Sequence, residues 1–402
     1  MVHLFYNQIM NSLHKLTLMA DNAQLEPAEE TLLTPAPQLA PCGLSASPNQ
    51  ANKQAALGIH HAKMPGGKTI PLLKTLLTSA CERNCYYCPF RAGRDFRRAT
   101  FKPEEMAQSF MDLYRAGVAE GLFLSSGIIR GGVATQDKLL ATIEILRRQH
   151  RFKGYVHLKI MPGAEKAQVE QAMRLANRLS VNLEAPNDKR LAMLAPMKEF
   201  IAELVRPLQW IQEIRQSQPP EQGWNGRWPS SATQFVVGAV GENDLELLST
   251  SDYLYQKLGL SRAYFSSFRP LANTPLADLP PSDRRREHRL YQTSFLFRDY
   301  GFELEDLPFD SSGNLPLEID PKLAWAQSHL RENPVELNRA DRQELLRVPG
   351  IGPKGAAVIL NARRRGTLRE LEDLRHLGVA TRNLKPFVLL DGRRPTHQLS
   401  LW

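Results

Sequence analysis

From about residue 70 to about residue 310, short apolar runs alternate with segments whose apolar positions recur every three or four residues. Residues 71–80 predict a buried strand feeding a loop. Residues 102–116 predict a helix, with Met106, Phe110, Leu113 and Tyr114 on one side and Pro103 near its start. The same alternation predicts strands over 121–127, 155–160, 180–185, 232–240 and 262–268. It predicts helices over 136–150, 166–177 and 243–258. Strands alternating with amphipathic helices imply βαβ units and a parallel sheet, whose ligands gather at the carboxyl ends of the strands.

The flanks read differently. Residues 26–54 hold Pro27, Pro35, Pro37, Pro41 and Pro48 with no apolar period, and predict loop. Pro308, Gly313, Pro316 and Pro321 mark a linker, after which the helices shorten and basic residues accumulate. The chain thus reads as an irregular extension (1–60), an α/β domain (61–310), a linker (311–325) and a small all-α domain (326–402). A chain of 402 residues with 42% hydrophobic and 23% charged residues suits two or three soluble domains. No apolar run approaches a membrane span. The N-terminus is broken by His3, Asn7, Asn11, His14 and Lys15 and shows no signal-peptide core, so the expected location is cytoplasmic. Of the net charge of +9, the residues from 321 onward carry +7, with 15 Lys and Arg against 8 Asp and Glu. That concentration suits a polyanion, or simply a solvated basic surface.

Four cysteines occur, Cys42, Cys81, Cys85 and Cys88. Three within eight residues on a loop point to a metal or redox centre in a reducing compartment. Iron–sulfur clusters take thiolate ligands, normally four, so three thiols leave one iron open unless Cys42 joins them. A zinc site completed by Cys42, His60 or His61 is the alternative.

The spacing Cys81-x3-Cys85-x-Tyr87-Cys88, after a strand and before a helix, resembles the radical S-adenosylmethionine (SAM) superfamily over residues 65–310. That resemblance implies a partial (β/α)6 TIM-like barrel, a [4Fe-4S] cluster on the three cysteines, and S-adenosyl-L-methionine bound through its amino and carboxylate groups to the open iron. Tyr87 takes the family's aromatic position. Ser125, Ser126 and Gly127 stand where the family has a Gly-rich strand end facing the methionine ammonium, with two serines replacing the usual glycine and acid. Glu184 resembles a polar residue near the ribose or amino-acid part, and Gly238 and Val240 lie in a segment resembling the one beside the adenine. Lys159 and Arg130 stand at strand ends as further candidates, while Tyr86 reads as packing. The implied reaction is one-electron cleavage of the sulfonium to a 5′-deoxyadenosyl radical, with flavodoxin or ferredoxin as electron donor.

Near the C-terminus, Leu345 and Leu346 end a short predicted helix, Pro349-Gly350-Ile351-Gly352 turns sharply, and Pro353 suits the start of a second helix. Backbone N–H groups at such a helix start bind phosphate oxygens, and Lys354, Arg363 and Arg364 add attraction. With Gly355, these residues resemble a helix-hairpin-helix DNA-binding module, and Gly378 resembles the turn of a second, degenerate hairpin. The two modules together resemble radical SAM proteins assigned to DNA modification or repair, often linked with a uracil-DNA-glycosylase-like partner. Two alternatives stand beside that reading. One is a radical enzyme acting on RNA or a small molecule, with the C-terminal module as a protein contact. The other is a non-enzymatic iron–sulfur protein that binds DNA or senses redox state.

Overall fold

The computed structural model describes residues 12–20, 56–63 and 69–395. The loop expected over 26–54, and Cys42 within it, lie outside the described residues. The chain divides into two compact units, one of residues 1–242 and 253–283, the other of residues 243–252 and 284–402. The division follows hydrogen bonding more than composition. Asn243 donates to Ser312 O at 3.0 Å, Asp244 accepts from Leu315 N at 2.9 Å, and Asp244 pairs with Arg286 at 2.6 Å. These contacts tie residues on both sides of 283 to the expected linker.

The first unit is built on a curled seven-stranded half-barrel sheet in the order β1 to β7. Strand β1 (Ile59–Lys63) is antiparallel to β2 (Thr69–Leu76). Five parallel pairings then run through β3 (Gly121–Ser125), β4 (Tyr155–Lys159), β5 (Arg178–Ser180), β6 (Ser230–Val237) and β7 (Arg262–Ser267). Every residue of β3 is buried, as a strand covered on both faces requires. Helix α1 (residues 12–20) lies in the stretch read as partly irregular. It buries Leu16, Met19 and Ala20, and Lys15 pairs with Glu105 at 2.7 Å. Helix α2 (Pro103–Arg115) begins on its proline as expected and buries Met106, Phe110 and Leu113. Phe110 meets Phe152 edge to face at 5.0 Å.

Two predicted elements are displaced. The helix expected over 136–150 is α3 (Gly131–Glu144) continued by a π turn (Ile145–Gln149). In that turn Arg147 points inward and donates to the carbonyls of Leu175, Phe152 and Gly154 at 2.8–3.0 Å. The strand expected over 180–185 is β5, ending at Ser180. Beyond it the Thr233 hydroxyl substitutes for ladder partners, donating to Val181 O at 2.7 Å and accepting from Leu183 N at 3.1 Å.

Helices α4 (Lys166–Leu175), α5 (Asp188–Leu194), α6 (Arg206–Ser217) and α7 (Asp244–Leu258) follow α3 along the chain. The second unit carries α8 (Arg284–Tyr300), α9 (Pro321–His329), α10 (Arg342–Arg347), α11 (Pro353–Ala362) and α12 (Leu371–His376). It is not purely helical, because Val335–Glu336 pairs in parallel with Val388–Leu389. Leu337, Leu345, Val348, Ile351, Ala356, Ile359 and Leu374 form its core. Gly378 ends α12 in the left-handed region at φ 75°, and a single 3-10 turn, Lys385–Phe387, follows in place of a second long helix.

Lys322, on α9, is buried. Its Nζ donates to Ile351 O at 2.6 Å and lies 4.5 Å from the centre of the Tyr300 ring. Burial lowers its pKa from 10.5 to about 7. Between those values the unfolded chain binds more protons than the folded unit, so stability rises with pH across that window. Amide hydrogen exchange at buried Ile359 is expected to slow relative to intrinsic rates from pH 7 to 9, and Lys322→Met is expected to abolish that trend.

Candidate active site

The cysteines sit on the loop between β2 and α2, at the carboxyl end of the sheet. A loop has no ladder, so its carbonyls need other donors. Arg98 supplies them, donating to Ser79, Phe90, Arg91 and Arg94 carbonyls at 2.9–3.1 Å. The loop also joins the end of β3 directly. Leu77 N donates to Ser125 O at 2.8 Å, Gly127 N to Thr78 O at 2.7 Å, and Glu82 N to Ile128 O at 2.8 Å. At Gly127 a Cβ would stand 2.1 Å from Ala80 O and 3.2 Å from Cys81 Cβ. The glycine is therefore a requirement of close approach.

Cys81, Cys85 and Cys88 line one cleft with Tyr87, Ser125, Ser126, Gly127, Lys159, Glu184 and Lys198. Among the described residues no three His, Cys, Asp or Glu side chains are gathered as a single-ion site. A polynuclear cluster asks less, because each thiolate takes a different iron. Backbone N–H groups already address the sulfurs: Arg83 N and Ile128 N reach Cys81 Sγ, and Phe90 N reaches Cys88 Sγ, each at 3.4 Å. Burial raises the Cys85 thiol pKa, and Lys198 opposes that rise.

Glu184 stands at the centre of the cleft. Its φ of 67° is unusual for a side chain of its size. The backbone is held there because Glu184 N donates to Gln234 O at 2.9 Å and Val236 N donates to Glu184 O at 2.8 Å. Lys198 Nζ reaches Glu184 Oε1 at 3.0 Å, with both side chains buried. Burial by itself would raise the Glu184 pKa, but Lys198, Lys159 and the Tyr87 hydroxyl bring it below the usual value. Tyr87, half-buried, is pushed well above its ordinary pKa by desolvation first and Glu184 second. Two buried oxygens of the lining, Ser126 Oγ and Glu184 Oε2, have no hydrogen-bond partner within the protein. Such atoms, with room enforced at Gly127 and N–H groups on the sulfurs, fit a thiolate-held cluster and a polar ligand beside it.

The cleft continues into a second one that shares Tyr87, Lys159, Asn182 and Glu184 and adds Gln234, Ser266 and Arg269. Gly238 and Val240 line neither. Gly238 takes φ 88°, and its N–H donates to Glu242, which also accepts from Val240 N at 3.2 Å. Arg130 is exposed and outside the cleft. Its backbone N–H and that of Gly131 cap onto Glu82 at 3.0 Å. His60 and His61 lie on β1 and line neither cleft. Lys198 and Arg98 were invisible to sequence reading, since neither belongs to a motif and only the fold brings them to the thiols.

Residues 75–253 match the Radical SAM superfamily. That stretch is similar to a radical SAM domain. The cofactors of such a domain are a [4Fe-4S] cluster and S-adenosylmethionine, and members of the superfamily are enzymes. No curated protein matches the chain by sequence. Similar solved structures include methylornithine synthase (PylB), 15% identical with a TM-score of 0.44 over 63% of this chain and 69% of that one. The FeFe-hydrogenase maturase HydG from Carboxydothermus hydrogenoformans is 16% identical with a TM-score of 0.42, over 56% of this chain and 50% of that one. A radical SAM methyltransferase from Sphaerobacter thermophilus is 14% identical with a TM-score of 0.40, over 62% and 78%. The match thus spans half of the maturase's length. Among the described residues no helix is long and apolar enough to cross a membrane.

In the second unit, Gly350 takes φ 89°, where a Cβ would stand 2.9 Å from Ala380 O. Helix α11 then starts on Gly352 and Pro353 with no side-chain cap. Lys354 and Arg364 are exposed, and Gly355 is half-buried. Arg363 is committed elsewhere, donating to the carbonyls of Leu337 and Ala340 at 3.1 and 2.5 Å.

Arg98→Leu is expected to lower the iron and sulfide retained per chain after anaerobic reconstitution to less than half, and to lower the melting temperature. The neighbouring exposed Arg97→Leu is expected to change neither. Equal iron content in the two variants would show that Arg98 does not hold the loop.

Proposed function

We propose that the chain is a radical SAM enzyme acting on DNA, in modification or repair, with the C-terminal unit as a helix-hairpin-helix module that grips the phosphate backbone. One observation carries the DNA reading: an uncapped helix start behind a turn with a left-handed glycine, flanked by exposed Lys354 and Arg364, in the same chain as the thiol-lined cleft. Contacts of that kind track the backbone and carry little base information.

In the cleft, Cys81, Cys85 and Cys88 would hold the cluster. When bound, the cluster and S-adenosylmethionine would supply radical chemistry able to abstract hydrogen. The chain's own part is binding, orientation and exclusion of water. Ser126 Oγ and the strand-end carbonyls would accept from the methionine ammonium. Lys159 would offer charge to a carboxylate. Glu184 Oε2 would accept from a ribose hydroxyl, while Lys198 holds its other oxygen and, with Lys159 and Tyr87, keeps it ionised. A target base reaches such a recessed cleft when extruded from the stack. A uracil-DNA-glycosylase-like partner accords with this reading.

A second reading is a small polar substrate. Asn182 donates to Gln234 at 3.3 Å and Gln234 to Ser266 at 2.9 Å, a chain of oriented polar groups in the second cleft.

Two measurements test the proposal. Anaerobic reduction with S-adenosylmethionine is expected to release 5′-deoxyadenosine, and Cys81→Ala is expected to release none. For the hairpin, Lys354→Ala with Arg364→Ala is expected to weaken duplex binding for every sequence alike. The slope of log affinity against log salt should fall by about two, roughly one per phosphate contact. An unchanged slope would refute the hairpin's role, and the nucleoside profile of DNA from cells lacking the protein would then identify the substrate class.

A further inference from the structure

Within the second unit, α8, α9 and α11 leave a cavity of about 270 Å³ between them. Helix α8 contributes Gln292, Phe295 and Tyr300, the start of α9 contributes Asp320 and Lys322, and Pro353 stands at the start of α11. Lys322 is 8% exposed. Its Nζ donates to Ile351 O at 2.6 Å and lies 4.5 Å from the centre of the Tyr300 ring. Among the described residues no carboxylate pairs with it. Asp320 is near, but its oxygens accept from Leu323 N at 3.0 Å and from Gln292 at 2.6 Å.

An amine enclosed without a counter-charge sheds its proton readily. Burial brings the pKa of this one to about 7. Without the proton, nitrogen keeps an N–H for Ile351 O and gains a lone pair. A desolvated lysine of this kind attacks carbonyl carbon. A lysine that only tied α9 to the hairpin turn would need no cavity beside it.

The cavity adjoins the hairpin. Pro353 is the first residue of α11 and follows Gly352, its N-cap. The Tyr300 hydroxyl would stand 3.2 Å from a Cβ at Gly352, so it lies against that helix start. Backbone N–H groups there suit a phosphate. An open-chain deoxyribose phosphate joins a phosphate to an aldehyde through a few bonds. The same unit occurs free and, within DNA, wherever a nucleotide has lost its base.

We propose that Lys322 condenses with the aldehyde of an open-chain deoxyribose phosphate whose phosphate rests on the start of α11. The inference shares the hairpin with the DNA reading and draws nothing from the thiol cleft. Nζ gives its electron pair to the aldehyde carbon, and the carbonyl π pair moves to oxygen, which takes up the proton that nitrogen loses. The carbinolamine then loses its hydroxyl and the remaining nitrogen proton as water, leaving a C=N bond. Amine and aldehyde thus become imine and water, with no change of oxidation state. Burial raises the pKa of the Tyr300 phenol, which therefore stays protonated and serves as proton donor to the departing oxygen.

Borohydride reduces an imine to a stable amine, so trapping reads the step. The full-length protein is incubated with a duplex carrying an abasic site, or with free 2-deoxyribose 5-phosphate, and then reduced. A covalent adduct is expected in both arms, and peptide mass mapping is expected to place it on Lys322. Lys322→Met is expected to lower the trapped fraction at least tenfold, and unphosphorylated 2-deoxyribose is expected to be trapped at least tenfold less than its phosphate. Should the variant fail to fold, mapping in the wild-type protein decides alone. A Lys322 adduct with the duplex supports both this site and the DNA reading. A Lys322 adduct with the free sugar phosphate alone keeps the site and sinks the DNA reading. No adduct in either arm, adducts on other lysines only, equal trapping by Lys322→Met, or equal trapping of the unphosphorylated sugar would overturn the proposal.

Discussion

Everything at the thiol site depends on how closely the cysteine loop approaches the end of β3. The contact between Gly127 and the Ala80 carbonyl leaves no space for a side chain. Three backbone hydrogen bonds cross that seam. The seam places Ser125 and Ser126 against the loop that carries Cys81. A wider separation would spread the thiols away from the polar groups that complete the site. Arg98 does the complementary work from the other side, satisfying four carbonyls that a loop of this length leaves without ladder partners.

The buried charges form a second layer of the same arrangement. Lys198 offsets Glu184, and Glu184 orients Tyr87, all under a backbone held in an uncommon conformation by two strand-like hydrogen bonds. Removing one member of such a set strands the others without solvent, which costs more than the pair itself contributes. The site is therefore rigid because its polar parts satisfy one another.

Much of this was legible in the sequence, and the gaps have physical causes. The cysteine spacing, the α2 proline and the alternating strands are local patterns, and the sheet follows from them. The strand expected over 180–185 moved because the Thr233 hydroxyl competes with the ladder and Glu184 leaves extended geometry. The run Arg363-Arg364-Arg365 looks uniform in sequence, yet it lies in the turn that closes α11, where the chain changes direction. Arg363 turns onto two carbonyls while Arg364 stays in water. Lys198 and Arg98 carry no motif, because their importance arises only where distant segments meet.

The buried Cys85 links the thiol loop to protons. Burial favours its protonated form, and Lys198 opposes that preference. Metals bind thiolates and not thiols. Any metal that this sulfur took would therefore release a proton, and its uptake would strengthen as the pH rises.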